Sequence, residues 1–352
     1  MQIKRIALGG IIMTVIMFSG CSTIVQNLAI GEEKTMETGK TEQESVTEKD
    51  INMNEKESFN AESNINDVIH NSAFDDYGRL IFPVDMEIED NLKLKDVSSI
   101  LPWYSEVNTD KTVEIVNYMK NQAMNGEQIF YPIYSEEEMQ EDPDKKDTGL
   151  FFFRGNAGAK TAIINAGGGF VYVAGIHDSF PHALELSKKG HNAFALIYRP
   201  GAQTACEDLA RAIAFLHENA EQLQIDMTDY SLWGGSAGAR MAAWLGSYGT
   251  AYFGEKEYPA PAAVIMQYTG LSQVTGMEPP TYACVGTSDG IASYRSMENY
   301  ISQIQQNGTN ATIEVFKGLS HGFGLGEGTV AEGWIDCAIS FWEDNMNALD
   351  KR

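Results

Sequence analysis

The segment Asp229–Gly249, DYSLWGGSAGARMAAWLGSYG, decides the fold of this 352-residue chain. Its apolar run Tyr230–Trp233 predicts a buried strand, and Ala237–Leu245 is rich in strong helix formers. Ser236 stands between them in the pentapeptide GGSAG. Glycines let a strand and a helix pass closely, and the helix N-terminus directs amide groups toward the serine hydroxyl. The sequence therefore predicts a nucleophilic serine on a strand-to-helix turn; the alternative is a glycine-rich turn that happens to hold a serine.

Strand-like and helix-like patterns alternate from Gln128 onward. The later strand candidates are almost continuously apolar, which predicts an α/β fold with a mostly parallel eight-stranded sheet and helices on both faces. The acidic stretch Glu136–Asp147 has no predicted helix, so we expect the first two strands to pair antiparallel at one edge. The predicted strands are Gln128–Tyr134, Leu150–Arg154, Thr161–Asn165, Ala193–Tyr198, Tyr230–Trp233, Ala263–Tyr268, Tyr282–Gly286 and Thr312–Phe316. The predicted helices are Pro181–Lys189, Thr204–Gln224, Ala237–Leu245, Ile291–Gln306 and Val330–Leu349.

The first 20 residues have the pattern of an export signal. Lys4 and Arg5 precede the apolar run Ile6–Phe18, which is short for a membrane span, and Ser19-Gly20-Cys21 follows. This ending resembles a bacterial lipobox, in which the cysteine is lipidated and becomes the new N-terminus, although Phe18 replaces the usual Leu. We expect an exported protein held at the cell membrane by a lipid on Cys21 and facing the outside. An ordinary signal peptide or a single N-terminal anchor is the alternative.

Composition divides the chain into four regions. Residues 1–20 are the predicted signal peptide, and residues 21–70 are the predicted lipidated Cys21 with an acidic, disordered tether. This tether is rich in Glu, Lys, Thr, Asn and Ser and has almost no aromatic residues, so it lacks the apolar surface needed to order itself. Residues 71–126 are predicted to form an N-terminal extension or small cap with one helix at Thr112–Met124. Residues 127–352 are the predicted catalytic domain.

Charge and cysteine content limit the partners of the protein. The net charge of −24 disfavours nucleic acid and other polyanions. With Cys21 assigned to the lipid, three cysteines remain, and an odd number argues against a disulfide framework. Cys206, Cys284 and Cys337 lie in apolar stretches and are predicted to be buried. The chain has no CxxC pair and no HExxH motif, so we expect no metal and no cofactor.

A serine nucleophile needs a base and a carboxylate, and late loops supply both. His321, in GLSHGF, follows the last predicted strand, and Asp289 follows the strand before it. Active groups of a parallel sheet gather at the carboxyl ends of its strands, so these residues are the candidate partners of Ser236. His177 and His182 follow the third strand and could border the pocket. Taken singly, His321 could be structural and Asp289 an ordinary turn residue.

A second glycine-rich loop could bind the substrate oxygen. Gly167, Gly168 and Gly169 follow the third predicted strand, and backbone amides in such a loop can approach an oxyanion closely. The alternative is a tight turn that binds nothing. Phe170 and Tyr172, just after the glycines, would either make the pocket mouth partly aromatic or pack in the core.

Between Thr161 and Trp342 these motifs together resemble the α/β-hydrolase superfamily, specifically the acetyl esterases and hormone-sensitive-lipase-like carboxylesterases. The resemblance rests on the glycine loop, Tyr198-Arg199, Glu207-Asp208, the GGSAG turn, Asp289 and His321, in that order. It implies the α/β-hydrolase fold, with Ser236 as nucleophile, His321 as general base and acid, and Asp289 as its partner. It also implies an oxyanion hole formed by the amides of Gly168, Gly169 and Ala237.

The chain departs from this family directly before the glycine loop. The family usually has a histidine there, whereas this chain has Ala166 preceded by Asn165. The hydrogen bonds that shape the loop must therefore come from another residue, and Asn165 is one candidate.

The resemblance implies a serine carboxylesterase. We expect short-chain, acetyl-type esters as its substrates because the site should be open, and esters on carbohydrate because the predicted tether holds the protein at the cell surface. The connection from Tyr268 to Pro280 is too short for a lid domain, so we expect an open site. The expected partners are a small-molecule or carbohydrate ester and the membrane, reached through the lipid. A serine peptidase of the same fold and a non-catalytic carbohydrate-binding surface lipoprotein are the alternatives.

Overall fold

An eight-stranded sheet forms the centre of the fold. The computed structural model describes residues 58–346. Neighbouring strands follow the order β1-β2-β4-β3-β5-β6-β7-β8, in which β1 and β2, and β2 and β4, pair antiparallel and all other neighbours pair parallel. The sheet predicted from the sequence is confirmed, including its antiparallel edge. The strands are β1 Phe130–Tyr131, β2 Gly149–Phe153, β3 Lys160–Asn165, β4 Asn192–Ile197, β5 Asp226–Gly235, β6 Ala263–Gln267, β7 Thr281–Gly286 and β8 Ala311–Phe316.

Helices cover the sheet, whose central strands are almost entirely buried. Each of the five predicted helices after the first strands is present, with the Thr204–Gln224 prediction divided in two at Asn219. The last helix begins at Trp334 and not at Val330, because Gly333 stands before it in a left-handed conformation. The helices are α1 Ile65–Ile69, α2 Thr109–Met124, α3 Glu136–Glu141, α4 Gly175–Asp178, α5 Phe180–Lys188, α6 Ala202–Glu218, α7 Ala220–Leu223, α8 Ala237–Tyr248, α9 Tyr294–Gln306 and α10 Trp334–Asn345.

Helix α3 lies in the stretch that the sequence predicted to be a loop. Ser135 caps it through the amide of Glu138, and the Glu138 side chain accepts from the amide of Ser135 in return. The first turn holds three glutamates, whose negative charge suits the positive end of the helix dipole. The prediction of a helix-free loop was wrong because α3 has no buried residue, and hence no apolar stripe to reveal it.

Residues 58–70, which the sequence placed in the disordered tether, are ordered in the structure. Helix α1 has Ile65 and Val68 fully buried. The amide of Phe59 donates to the side chain of Asn117 in α2, and the Asn117 amide group donates back to the Phe59 carbonyl. The prediction that the tether extends to residue 70 is therefore wrong from residue 58 onward. The predicted signal peptide, Cys21 and the predicted tether up to residue 57 lie outside the described residues.

One cysteine also differs from the prediction. Cys206 and Cys284 are buried, whereas Cys337 is exposed. The buried stripe of α10 runs through Trp334, Ala338 and Trp342, so Cys337 lies on the outer face of the helix. Within residues 58–346 no helix is long and apolar enough to cross a bilayer, and no group of three or more side chains is arranged to hold a metal ion.

Strand β5 and helix α8 cross at two glycines. A Cβ atom on Gly238 would overlap the backbone carbonyl oxygen of Asn165, at the end of β3. A Cβ atom on Gly234 would overlap the backbone of Gly238. The glycine spacing in GGSAG is therefore required by the close approach of three backbone segments.

We expect Gly238→Ala to lower the free energy of unfolding by about 3 kcal/mol, since the added methyl group meets backbone atoms that cannot rotate away. Urea denaturation measures the effect. Gly290→Ala is the matched control, because a Cβ atom at Gly290 meets nothing within 4 Å. Equal stabilities of the two variants would contradict the packing argument.

Candidate active site

Ser236 occupies the turn between β5 and α8 in a strained conformation. Its φ of 50° and ψ of −113° lie in a region that residues other than glycine rarely adopt. Its amide donates to the carbonyl of Gln267 at the end of β6, which fixes the turn against the neighbouring strand. The side chain is partly exposed. This is the strand-to-helix turn that the sequence predicted.

His321 and Asp289 complete a chain of contacts with Ser236. The Nε2 atom of His321 lies 3.1 Å from Ser236 Oγ, and its Nδ1 atom lies 2.8 Å from Asp289 Oδ2. The Asp289 side chain is fully buried and that of His321 is 6% exposed. The structure therefore brings the three predicted side chains together at hydrogen-bonding distance, from loops that follow β5, β7 and β8.

The second oxygen of Asp289 orients the carboxylate. Asp289 Oδ1 accepts from the amides of Ile291 and Ala292, at 2.8 and 2.7 Å. With Oδ2 accepting from Nδ1–H of His321, the other ring nitrogen is left to accept the serine proton. The arrangement can therefore remove a proton from Ser236 and stabilise the resulting imidazolium.

The backbone of His321 is held by a residue that the sequence did not indicate. Ser105 donates two hydrogen bonds to the His321 carbonyl, from its amide at 3.2 Å and from its hydroxyl at 2.7 Å. Ser105 belongs to the region before the sheet, more than 200 positions earlier in the chain. No local pattern marks it, because its role depends on a contact that only the fold creates.

The glycine loop is shaped by Asp178, a second residue that the sequence did not single out. The Asp178 carboxylate is 1% exposed and accepts from the amide of Gly167 at 2.6 Å, the Tyr104 hydroxyl at 3.0 Å and the Tyr268 hydroxyl. Burial raises the pKa of this carboxyl, while the three donors favour its charged form. A Cβ atom on Gly235 would overlap this carboxylate, so Asp178 lies directly behind the Ser236 turn.

Asn165 does not shape the loop. Its side-chain amide donates to the carbonyl of Trp233 at 2.8 Å and so joins β3 to β5. The candidate role given to Asn165 is therefore wrong, and Asp178 takes that role. In the sequence Asp178 stands in the segment after the glycine loop, beside His177, and no motif marks it as the residue that shapes the loop.

The three predicted oxyanion donors have free amides. The amide of Gly167 is occupied by Asp178, but those of Gly168, Gly169 and Ala237 have no acceptor among the described residues. Gly168 and Gly169 have φ of 128° and 64°, and a Cβ atom on Gly168 would overlap the carbonyl of Tyr172. Ala237 is the first residue of α8, where an intrahelical partner is absent by geometry.

The remaining predicted pocket residues lie behind or beside this centre. His177 is buried and its Nε2 atom lies 3.0 Å from the Gly322 carbonyl, so it supports the His321 loop. His182 is buried against Trp334, and burial lowers its pKa to about 3. Tyr172 is buried, while Phe170 is half-buried and stacks on Trp244 with 6.1 Å between ring centroids. Of the two aromatic residues, only Phe170 reaches the surface.

Comparison with solved structures identifies the architecture. The thermophilic esterase Est2 of the planctomycete Thermogutta terrifontis, solved with propionate bound, superimposes with a TM-score of 0.52 and 18% identity over 61% of this chain and 93% of Est2. The acetyl ester-xyloside bifunctional hydrolase of Caldicellulosiruptor lactoaceticus gives a TM-score of 0.54 and 19% identity, over 61% and 95%. The chain has the α/β-hydrolase fold. The BD-FAE family matches residues 155–281 of the chain, and a search among curated proteins found no match.

We expect Asp178→Ala to lower the free energy of unfolding by about 3 kcal/mol, because it leaves the Gly167 amide and the hydroxyls of Tyr104 and Tyr268 without their buried acceptor. Asp178→Asn should lower the free energy of unfolding by a smaller amount, since the amide oxygen of asparagine can still accept a hydrogen bond from Gly167. Asp336→Ala is the control, because Asp336 is 61% exposed and pairs with Lys189 at the surface. Urea denaturation of the three variants tests the order, and an Asp178→Ala protein as stable as the Asp336→Ala protein would refute the role of Asp178.

Proposed function

We propose that the protein is a serine carboxylesterase that hydrolyses short-chain, acetyl-type esters through an acyl-enzyme. The observation that carries the proposal is the continuous contact from Ser236 Oγ through the His321 ring to Asp289, at 3.1 and 2.8 Å. Free amides beside the serine and the α/β-hydrolase fold support the same chemistry.

In the first half-reaction, Ser236 Oγ attacks the ester carbonyl carbon while its proton passes to His321 Nε2. The tetrahedral oxyanion receives hydrogen bonds from two or more of the amides of Gly168, Gly169 and Ala237. As the intermediate collapses, Nε2 returns the proton to the leaving alkoxide, and the acyl group remains on Ser236. Asp289 stays ionised and stabilises the imidazolium throughout.

In the second half-reaction, a water molecule takes the place of the alcohol. His321 Nε2 accepts a proton from the water, the resulting hydroxide attacks the acyl carbon, and the same amides hold the second oxyanion. The proton then passes from Nε2 to Ser236 Oγ, which leaves as a hydroxyl, and the acid is released.

The shape of the chain favours small acyl groups and an open site. The connection between β6 and β7 contains no helix, so it contributes no lid domain. Among the solved structures, one relative in fold was crystallised with propionate and another is named an acetyl ester-xyloside hydrolase. We therefore propose acetyl-type esters, including those on carbohydrate, as substrates.

The two alternative functions receive less support. A peptidase of the prolyl oligopeptidase type normally carries a large β domain, whereas residues 58–129 hold helical segments and one isolated β-bridge. A protein that only binds carbohydrate has no need for a serine in a strained turn within reach of an oriented histidine. An esterase mechanism accounts for both the strained serine and the oriented histidine.

We expect Ser236→Ala to reduce turnover of p-nitrophenyl acetate at least about 1,000-fold, because it removes the nucleophile. Ser98→Ala, at an exposed serine, should keep full activity. A covalent organophosphate label should attach to the Ser236 peptide of the parent, as read by mass spectrometry, and to no peptide of Ser236→Ala. Turnover by Ser236→Ala within a few-fold of the parent would exclude the esterase mechanism.

We also propose that the protein is an exported lipoprotein, anchored through Cys21 and facing the outside of the cell. The proposal rests on the sequence of residues 4–21 alone, in which a basic start and a short apolar run lead to Ser-Gly-Cys. A diacylglycerol group on Cys21 would supply the two acyl chains that stable anchoring requires. An acetyl esterase held in this way would act on esters outside the cell.

We expect Cys21→Ser to abolish incorporation of radiolabelled palmitate and to move the protein out of the membrane fraction. Cys337→Ser is the matched control, because it removes an exposed cysteine from α10 and leaves the signal intact. Unchanged labelling and membrane association of Cys21→Ser would contradict lipid anchoring.

A further inference from the structure

An exposed tryptophan lies against the glycine loop. Trp103 is 50% exposed. Its six-membered ring atoms Cζ3 and Cη2 lie 3.0 and 3.3 Å from the position that a Cβ atom on Gly169 would occupy. The indole therefore contacts the residue that carries one of the proposed oxyanion donors. Trp103 comes from the region before the sheet, and neither the motifs nor the proposed mechanism uses it.

Tyr172 packs against one face of the indole and holds it in a fixed position. Tyr172, which is 1% exposed, stacks on it with 5.6 Å between ring centroids and an interplanar angle of 28°. The hydroxyl of Tyr172 donates to the carbonyl of Pro102 at 2.6 Å, so the ring beneath Trp103 also holds the backbone before it. With one side packed on Tyr172, the exposed half of the indole is a rigid apolar surface.

The residues that follow attach Trp103 to the catalytic groups. The hydroxyl of Tyr104 donates to Asp178, behind the glycine loop, and Ser105 holds the His321 carbonyl. Trp103 is thus placed relative to both the proposed oxyanion hole and the proposed general base. A substrate whose carbonyl lies at the amides of Gly168 and Gly169 has its next atoms beside this indole.

The need to anchor residues 103–105 accounts for the contacts of Tyr104 and Ser105. It does not account for the exposed side chain of Trp103. A single exposed apolar side chain is common in proteins. Trp103, however, combines exposure with a φ of 81°, a left-handed conformation that a bulky residue rarely adopts. Such outliers cluster at ligand-binding sites, where the strain is retained because it places a side chain. Here the backbone conformation of Trp103 directs its indole toward solvent, directly beside the glycine loop.

We propose that Trp103 is a substrate-binding residue, on whose free face the esterase binds the face of a sugar or aryl ring that is attached two or three bonds from the scissile carbonyl carbon. An indole face accepts the C–H face of a sugar ring or the face of an aryl ring through the same apolar contact. The inference rests on the proposed esterase function and specifies its substrates: esters that carry a ring close to the carbonyl are preferred to open-chain esters of the same acyl length.

The test compares Trp103→Leu with Trp103→Phe in the full-length protein. Leucine keeps apolar bulk without a flat face, whereas phenylalanine keeps the face. Phenyl acetate and a monoacetylated methyl xyloside carry the ring on the alcohol, with ethyl acetate as the open-chain reference. Methyl 3-phenylpropanoate carries it on the acyl group, with methyl butanoate as the reference. Comparing each ring-bearing ester with its open-chain reference shows whether Trp103 binds a sugar or an aryl ring, and on which side of the carbonyl the ring lies.

We expect Trp103→Leu to lower kcat/KM about three- to tenfold for at least one ring-bearing ester, chiefly through a higher KM, with the matching open-chain ester unchanged. Trp103→Phe should restore most of the loss. Tyr252→Ala, which removes an aromatic ring that is 66% exposed on another part of the surface, should change neither class.

Two results would overturn the inference. An equal loss for ring-bearing and open-chain esters would show that Trp103 only supports the loop, and no loss for any ester would show that its face is unused. Ser236→Ala is measured beside these variants. If it is inactive while Trp103→Leu keeps the ring preference, this inference alone fails; if it remains active, the proposed esterase function fails.

Discussion

The buried carboxylate of Asp178 is the interaction on which the arrangement of the site depends. It accepts hydrogen bonds from the glycine loop after β3, from Tyr104 before the sheet and from Tyr268 after β6, and it packs behind Gly235. A carboxyl group in this position is stable only while its hydrogen-bond partners stay in place, because an unpartnered buried polar group is costly. Four separate segments are therefore held together by one side chain.

Much of the fold was predictable because its information is local. Strands such as β6 and β7 are short apolar runs between turn residues, and a parallel sheet buries both faces of such runs. Ser236 was predictable because its glycines must stand at fixed spacing in the turn. His321 and Asp289 followed from their place after late strands. Helix α3 was not predictable in this way, since it is stabilised by its cap and its charges.

The supporting residues could not be predicted from sequence patterns. Asp178, Tyr104 and Ser105 act through contacts between segments distant in the chain, and none stands in a motif. Asn165 was a reasonable candidate because it adjoins the glycine loop, yet its side chain is committed to the carbonyl of Trp233. The residue next to the loop in the sequence, Asn165, was therefore the wrong candidate. The acceptor that the loop requires is Asp178, in the short helix α4.

The hydrogen bonds from Ser105 to the His321 carbonyl make the region before the sheet part of the site itself. Proteolysis upstream of Phe59 would release a fragment with every described contact of the site intact. A cut downstream of Ser105 would separate the fragment from Trp103, Tyr104 and Ser105 together. The position of a single cleavage therefore decides whether the site keeps the contacts of these three residues.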